Sequence, residues 1–573
     1  MLNELCSDDE PESESDGWVT DNDDDSEHIS DQSTSSESEQ EYSEGDSSVE
    51  DNLTTFVAKN GESWVSQPFR QNVRHLARNI VIGEEGPVGV AKQAKGPSEA
   101  FHLFLTDSEI SEITMWTNQY IIQRCDRYKD AQACRQTDST EIRAFVGLLI
   151  LAGSLTSSRR DFHGLFTTDG TGVEIFWAVM TAKRFGFLLY SLRFDDKVTR
   201  DQRRSVDKLA AIRELSSRVI NRFKTTYTPG PLCTIDENLD AFRGRCGFIQ
   251  YIPSKPAKYG VKMECLCDAK THYICNLEIY AGKQPPGPFE QSNKPKDIVM
   301  RVGEPIFDTG RHITVDNRYT SLALAESLLV RKTTMTGTMK KNSVGVPHEL
   351  KPQPGRPTLS TTFAYQKDRI LASYVPKKNK AVILLSTMHS KGDIDEASGD
   401  KRKPEVITFY NKTKGGVDSA DKKCAATSVA RRTRRWPMAV FFSLINKAAL
   451  NAWVIYQANN KYRRRETRRS FLLDLGKELI TPHLIQRSAN GTKFPKELQE
   501  AMSRILLKLN VETNPSQENS PGDSASTGLT RAKRKRCSLC PYSKDRKTQT
   551  LCRKCSKPVC SEHSFTICNV HPL

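Results

Sequence analysis

The spacing of apolar residues changes at Leu232, and this change limits the possible folds of the chain more than any other feature of its sequence. Between about residue 100 and Leu232, apolar residues recur at the spacing of helices. Beyond Leu232 they alternate with polar residues or form short continuous runs, as they do in strands. The predicted strands cover residues 232–236, 262–268, 273–280, 312–316 and 333–339, and a helix is predicted over residues 319–329. This order predicts a mixed α/β fold.

Composition and periodicity divide the rest of the chain. Residues 1–95 are rich in Ser, Asp and Glu and poor in apolar residues, so they cannot bury enough surface to offset the entropy of ordering and should be disordered. The predicted division is 1–95 disordered acidic tail, 96–231 first α-helical part, 232–341 first part of the α/β core, 342–405 β-leaning insertion, 406–427 second part of the core, 428–510 second α-helical part, 511–530 linker and 531–573 cysteine-rich zinc-binding domain.

The acidic tail carries sequences typical of phosphorylation sites. Residues 7–10 and 35–39 resemble substrates of an acidic-directed kinase, which is therefore a possible partner. Phosphorylation would deepen the negative charge and let the tail compete with DNA for the rest of the chain. The alternative is a solvating tail without such a role.

The charge of the chain is distributed unevenly. Residues 1–58 hold 20 Asp or Glu and no Lys or Arg, so the remainder holds 84 basic against 50 acidic residues, a balance of +34. Such a balance favours a polyanionic partner, most often nucleic acid, although charge alone does not exclude a membrane surface. No apolar run has the length of a membrane helix and no secretory signal begins the sequence, so we expect no membrane association and an intracellular, nuclear protein.

Three carboxylates stand out by their context. Asp236 and Asp316 end predicted strands, and Asp418 opens a predicted helix after Gly415 and Gly416. Asp421 follows one turn later on the same helix face. Transfer of a polynucleotide strand uses two hard cations held by carboxylate oxygens, and these residues are candidates to hold them. The alternatives are ordinary turn residues for the first two and a helix N-cap for Asp418.

Basic residues accompany these carboxylates in the sequence and are candidates for contacts with DNA phosphates. They are Arg243, Arg245, Lys255 and Lys258 near Asp236, and Arg431, Arg432, Arg434 and Arg435 after Asp418. Trp436 is a candidate platform for base stacking, or else a core aromatic beside Pro437.

The C-terminal segment contains eight cysteines and histidines in four pairs. Their number and spacing predict two tetrahedral zinc sites, because so short a segment cannot build a sufficient core without metal. The favoured pairing is interleaved, with Cys537, Cys540, Cys560 and His563 on one Zn²⁺ and Cys552, Cys555, Cys568 and His571 on the other. Sequential pairing remains open. The preceding basic run predicts a nuclear localisation signal or a DNA contact and comprises Arg531, Lys533, Arg534, Lys535 and Arg536.

Several ordered segments resemble the piggyBac family of DNA transposases. They are residues 234–246, 251–260, 313–317 with 320–321, 337–338, and 410–418 continuing through 435–438. The resemblance implies a ribonuclease H-like catalytic core with essential aspartates at Asp236, Asp316 and Asp418, and a further aspartate at Asp421. It also implies two catalytic Mg²⁺ ions, which Mn²⁺ may replace, and flanking helical regions for dimerisation and DNA binding. The cysteine-rich domain, a cross-brace with two structural Zn²⁺ ions, would recognise transposon ends, with His571 where the family often has cysteine.

The activity that the resemblance implies is cut-and-paste transposition. A metal-activated water nicks the transposon end in double-stranded DNA, the freed 3′-hydroxyl forms a hairpin, and the hairpin is opened before joining at TTAA targets by a homodimer. One alternative is a domesticated, sequence-specific DNA-binding regulator without transposition activity. Another is a zinc module that reads protein tails.

Overall fold

The computed structural model describes residues 54–69, 80–127, 130–156, 161–461, 466–489, 494–509, 535–544, 546–548 and 557–563. The chain forms two compact units, Met1–Glu512 and Thr513–Leu573. The predicted kinase sites and the linker at residues 511–530 lie outside the described residues.

The first unit is built on one mixed sheet of eleven strands. The strands of this unit are β1 Thr55–Val57, β2 Ser63–Val65, β3 Gly86–Pro87, β4 Tyr227–Thr228, β5 Leu232–Ala241, β6 Gln250–Tyr251, β7 Tyr259–Asp268, β8 Ile274–Ile279, β9 His312–Val315, β10 Thr334–Thr338, β11 Thr361–Gln366, β12 Arg369–Lys377 and β13 Lys380–Ser386. The sheet runs in the order β1-β2-β11-β12-β13-β10-β9-β5-β7-β6, with β8 also paired to β7, while β3 and β4 pair separately.

The centre of this sheet has the order β8-β7-β5-β9-β10. Strand β7 is antiparallel to both β8 and β5, whereas β5, β9 and β10 run parallel to one another. These five strands are the ones predicted from the apolar pattern after Leu232. The prediction of a mixed α/β fold is therefore confirmed.

The predicted insertion, residues 342–405, contains the three strands β11, β12 and β13, and these extend the central sheet. Gly337 of β10 is opposite Leu385 of β13, and β12 and β11 follow in antiparallel order. The N–H and C=O groups at the edge of β10 are thereby satisfied by β13, while the domain bounds at residues 342 and 405 stay a prediction.

The prediction of disorder up to residue 95 is wrong for residues 54–69 and 80–95. Strand β2 joins β11 with Val65 opposite Tyr365, and Trp64 is fully buried. Residues 86–87 pair with β4, and Asn459 donates to the carbonyl oxygens of Ala91 and Ala94. The few apolar residues of these segments are sufficient because they pack on a core formed by later parts of the chain.

Helices pack against the central strands of the sheet. The described helices of the first unit are α1 Pro97–His102, α2 Asp107–Ile122, α3 Ser139–Ser154, α4 Glu174–Val179, α5 Ala182–Ser191, α6 Arg200–Arg204, α7 Arg213–Thr226, α8 Pro295–Val302, α9 Leu322–Val330, α10 Glu405–Thr413, α11 Gly416–Ala426, α12 Trp436–Asn459, α13 Arg468–Ala489 and α14 Lys496–Lys508. Among the helices described, α12 alone is long and apolar enough to cross a membrane, and nearly all of that segment is buried inside the protein. It is therefore a core helix of the first unit.

The second unit contains a small antiparallel pair of strands, β14 Lys535–Arg536 and β15 Lys547–Thr548. A short 3-10 helix at Ser561–His563 follows. Arg531, Lys533 and Arg534 of the predicted nuclear localisation signal lie outside the described residues, whereas Lys535 and Arg536 form β14.

Candidate active site and metal centre

Asp236 and Asp316 are neighbours on adjacent parallel strands. Ile235 of β5 is opposite Val315 of β9, so the next residue on each chain is an aspartate at the same level of the sheet. β9 ends there, but β5 continues to Ala241, with Asp236 opposite Cys265 of β7. The predicted end of the strand at Asp236 is therefore wrong. The reason is that β7 continues to pair with β5 after β9 has ended.

A cluster of three threonines joins Asp418 to these strands. The Thr234 hydroxyl donates to the carbonyl oxygen of Thr413 at 2.6 Å, and the Thr314 hydroxyl donates to Thr413 Oγ1 at 2.7 Å. These bonds attach the end of α10 to β5 and β9. Gly416 then starts α11 so close to β5 that a Cβ atom would lie 2.6 Å from Thr234 Oγ1. The first turn of α11, with Asp418, is thereby held beside the two strand aspartates.

Asp418 is not an N-cap, because Gly415 holds that position and no side chain caps α11. Its carboxylate is half exposed and faces Lys255, whose Nζ lies 3.5 Å from Asp418 Oδ1. The same ammonium donates to the carbonyl oxygen of Glu237 at 2.8 Å. Burial opposes the charge of Lys255, but Asp236, Asp418 and Glu237 outweigh burial and raise its pKa. Lys255, which the sequence predicts to contact a DNA phosphate, is thus held inside the carboxylate cluster.

Asp236 has the most perturbed carboxylate of this cluster. Burial, together with repulsion from Glu237 and Asp418, raises its pKa to about 7, against the attraction of Lys255. Asp316 is held by the backbone N–H of Asn317 at 2.6 Å and by the Thr338 hydroxyl at 3.4 Å. Repulsion that raises a carboxylate pKa is relieved when a cation binds.

The three aspartates fit the requirements of a hard divalent cation. They offer only carboxylate oxygens, which are the ligands that Mg²⁺ prefers. Within the described residues, these three aspartates are not among the groups whose ligand atoms all lie within 4.8 Å of one another. Asp236, Asp316 and Asp418 are the residues that would hold the cation.

Asp421 faces a different set of groups. Burial raises its pKa, which the ammonium of Lys447 and a hydrogen bond with Asn238 partly offset. Lys447 donates to Asp240 Oδ2 at 2.9 Å, to Asn238 Oδ1 at 3.0 Å and to the Ser443 hydroxyl. The structure therefore places Asp421 in a network between α11, α12 and β5, one helical turn after Asp418.

Glu237 acts on the charges of Asp236 and Lys255, and it was not predicted from the sequence; Glu264 pairs with it across the two strands. They are opposite one another on β5 and β7, and the Tyr319 hydroxyl contacts both, at 3.3 Å and 2.5 Å. Arg318 lies 3.7 Å from Glu237 and 3.6 Å from Glu264. Glu237 could have been predicted from its position next to Asp236 in the sequence. Glu264 could not, because only the pairing of β7 with β5 brings it opposite Glu237.

The two basic segments meet beside the site. The backbone of Arg245 pairs with that of Arg435, and a Cβ atom on Gly244 would lie 2.6 Å from the carbonyl oxygen of Arg434. The exposed basic residues on this joined surface are Arg243, Arg245, Lys258, Arg432 and Arg434. The two basic segments therefore form one positively charged surface.

Three of the predicted DNA-binding residues pack inside the protein instead. The Arg435 guanidinium donates to the carbonyl oxygens of Tyr190 and Leu192 at 2.7 Å and 2.6 Å, and burial holds its pKa well below the usual range. Arg431 is buried, and burial lowers its pKa to about 10. Trp436 packs edge-on against Phe248 with ring centroids 5.1 Å apart. We correct these three expectations, since composition cannot separate buried from exposed members of a basic run.

The second unit gathers the first predicted set of zinc ligands. The ligand atoms of Cys537, Cys540, Cys560 and His563 all lie within 4.8 Å of one another. Three thiolates and an imidazole are a preferred zinc donor set. This is the interleaved arrangement of the first and third pairs. Cys552, Cys555, Cys568 and His571 lie outside the described residues.

Comparison with known proteins agrees with this architecture. A family model described as Transposase IS4 matches residues 96–453. The human PiggyBac transposable element-derived protein 3 is 26% identical over 390 residues, which are 63% of this chain and 63% of that protein. The human Chimeric ERCC6-PGBD3 protein is also 26% identical over 390 residues, 63% of this chain and 35% of that protein.

A solved structure can also be compared along its whole length. The cryo-EM structure of a piggyBac transposase synaptic complex with hairpin DNA has a TM-score of 0.69 and 33% identity, and the match covers 85% of this chain and 100% of that one. The chain spans 63% and 35% of the lengths of the two human relatives. Because the family model matches more than half of the chain and the solved structure is matched throughout, this chain belongs to the piggyBac-type family of transposases.

Proposed function

We propose that this protein is a divalent-metal-dependent DNA transposase that cleaves and joins DNA strands. The observation that carries the proposal is the meeting of Asp236, Asp316 and Asp418, from two strands and a helix, beside a surface of exposed arginine and lysine side chains. Carboxylates that repel one another bind cations, whereas the adjacent basic groups bind phosphates. Metal-dependent chemistry on nucleic acid requires both.

The order of the central strands supports a ribonuclease H-like core for this chemistry. An antiparallel group, β8-β7-β5, is continued by the parallel strands β9 and β10, with the two strand aspartates at adjacent positions. Bound Mg²⁺ or Mn²⁺ would activate the attacking oxygen and stabilise the leaving oxygen. Arg243, Arg245 and Lys258 would hold the phosphates of the strand, and Asp421 would support α11 through Lys447.

We further propose that cleavage follows the cut-and-paste route with hairpin ends and TTAA targets, carried out by a homodimer in the nucleus. The neighbouring structure is described as a synaptic complex with hairpin DNA, which supports hairpin DNA as a substrate class. The Cys537, Cys540, Cys560 and His563 group would bind one structural Zn²⁺, and the four remaining Cys and His residues a second.

Hairpin opening tests the proposed activity directly. The full chain is incubated with a 5′-labelled hairpin duplex whose tip is TTAA, with Mg²⁺ or Mn²⁺, and the products are separated by denaturing electrophoresis. We expect opening at the tip by the native chain and none by Asp236→Asn, while both bind the hairpin equally. Binding without cleavage by either protein would contradict the enzymatic proposal.

Hairpin binding without cleavage would favour a domesticated DNA-binding regulator. The name of the human relative, an element-derived protein, supports keeping this alternative. Deletion of residues 529–573 distinguishes this DNA-binding regulator from the other alternative, a zinc module that reads protein tails. Loss of end binding supports DNA recognition by this domain, and unchanged binding supports a protein target.

A further inference from the structure

We propose that Tyr251 and Tyr259 form a stacking site for an unpaired DNA base next to the scissile phosphate. This inference rests on the proposed function of the chain on DNA. It assigns a ligand class, a single nucleobase displaced from its duplex, to a pair of rings outside the carboxylate cluster.

The two rings form an exposed pair on one hairpin. Tyr251 of β6 is directly opposite Tyr259 of β7, and their ring centroids are 4.7 Å apart with an interplanar angle of 36°. Their exposed fractions are 56% and 38%, and among the described aromatic residues only Phe69 falls in the same range. Cross-strand aromatic pairs stabilise hairpins, but that role does not require rings as exposed as these two.

The charge around the pair favours a nucleic acid strand. The Arg243 guanidinium carbon lies 4.8 Å from the Tyr259 ring centroid. Residues 242–258 contain four basic and no acidic residues, and Arg243, Arg245 and Lys258 are exposed. Exposed aromatic rings beside a basic groove bind single-stranded nucleic acid by stacking on bases and pairing with phosphates. Trp436, the platform expected from the sequence, is packed on Phe248 and leaves this role to the tyrosines.

The loop between the two tyrosines enters the candidate active site. It is closed by hydrogen bonds from Ile252 N to Lys258 O at 2.8 Å and from Lys255 N to Ile252 O at 3.1 Å. Lys255, within this loop, contacts Asp418. Tyr251 and Lys255 are four positions apart in the sequence, so their Cα atoms are at most about 14 Å apart. At roughly 3.4 Å per nucleotide along one strand, a stacked base would lie within a few nucleotides of the cleaved phosphate.

The occupant must be an unpaired base, because a paired base keeps its faces inside the duplex stack. Hairpin tips and newly cut ends supply such bases at little cost in unpairing energy. Two tyrosines accept any base by its π-face, so the site would hold a strand end without reading its sequence.

Fluorescence of 2-aminopurine tests this inference without requiring cleavage. The full chain, in Ca²⁺, is mixed with hairpin DNA carrying 2-aminopurine at successive positions of an unpaired tip, and with a matched duplex. We expect quenching at one or two tip positions. Tyr251→Leu and Tyr259→Leu should abolish it and weaken tip DNA binding about 5- to 100-fold, with duplex binding unchanged within about twofold.

Matched variants separate stacking from folding. Tyr251→Phe and Tyr259→Phe keep the rings and should behave as the native chain, and Phe69→Leu removes an exposed ring on another segment and should have no effect. Leucine variants that still quench, or that weaken duplex and tip binding equally, would overturn the inference. The same measurement on Asp236→Asn should give native quenching, so a failure to cleave is distinguishable from a failure to stack.

Discussion

Lys255 and Asp418, which are 163 residues apart in sequence, meet in the candidate active site with Lys255 Nζ 3.5 Å from Asp418 Oδ1. The ammonium is mostly enclosed and lies among carboxylates that would otherwise hold a cation. It therefore lowers the repulsion among them in the absence of metal, and it repels a metal that enters.

Removal of this ammonium should strengthen metal binding. We expect Lys255→Met to raise the affinity for Mn²⁺ about 3- to 30-fold, because one positive charge within a few ångströms disappears from a partly solvated site. Titration followed by electron paramagnetic resonance of free Mn²⁺ measures this. Lys255→Arg keeps the charge and should bind like the native chain. Equal or weaker binding by the methionine variant would contradict the assigned role.

The pKa of Asp236 predicts how its replacement changes stability with pH. Its value in the folded chain, about 7, lies above its ordinary value, so the folded state retains a proton that the unfolded state releases. Stability from this group is therefore lost as pH rises towards 7. Without metal, Asp236→Asn should gain about 1–3 kcal/mol over the native chain between pH 5 and pH 8. Thermal or urea unfolding measures this difference in stability. A gain in stability that does not depend on pH would contradict the prediction.

Asp421 and Asp316 should differ in their effect on metal binding. Asp421 faces Lys447 and Asn238, so Asp421→Asn should keep Mn²⁺ affinity within about threefold, whereas Asp316→Asn should lose tenfold or more. Calorimetric titration of Mn²⁺ compares the two variants. Similar losses for both would show that Asp421 is itself a ligand.

The exposed and buried arginines should separate in their dependence on salt. Arg434→Ala should weaken duplex binding and lower the slope of log affinity against log salt by about 1. Arg435→Ala should instead lower the melting temperature, because the carbonyl oxygens of Tyr190 and Leu192 each lose one of their two guanidinium donors and keep only Arg193. Fluorescence anisotropy at several salt concentrations and a melting curve make the comparison. A normal melting temperature for Arg435→Ala would contradict its assigned packing role.

Zinc removal should affect the second unit selectively. We expect two Zn²⁺ ions per native chain and one in Cys560→Ala, measured by colorimetric release. Four ligands that converge within 4.8 Å lose their metal when one thiolate is replaced. Cys125→Ala, which removes an exposed cysteine of the first unit, is the control and should retain both ions. Two ions in the Cys560 variant would contradict the ligand assignment.

Local patterns predicted the individual strands well, because successive side chains of a strand point to opposite faces and this alternation is visible in consecutive residues. The hairpin of β7 and β8 and the short strand β9 follow residues 262–268, 273–280 and 312–316 closely. Their partners could not be predicted in the same way. The pairing of β13 with β10 and of β2 with β11 depends on residues that are far apart in sequence, so the sequence did not show that the predicted insertion joins the central sheet or that residues 54–69 are ordered.

The site shows the same limit. Resemblance to a family indicated Asp236, Asp316 and Asp418, and the structure places them on adjoining elements. It could not show that Lys255 turns inward, that Asp421 joins Lys447, or that Arg435 is enclosed, because each depends on which face of an element meets the core.

The contacts of Thr413 have a consequence for judging related chains by inspection. Hydroxyl bonds from Thr234 and Thr314 to Thr413 set where α11, and with it Asp418, sits against the sheet. A related chain that keeps all the aspartates but has valine in place of one of these threonines would lose activity, although every acidic ligand is present in its sequence. A related sequence should therefore be classed as an active transposase only if it contains these three threonines as well as the aspartates.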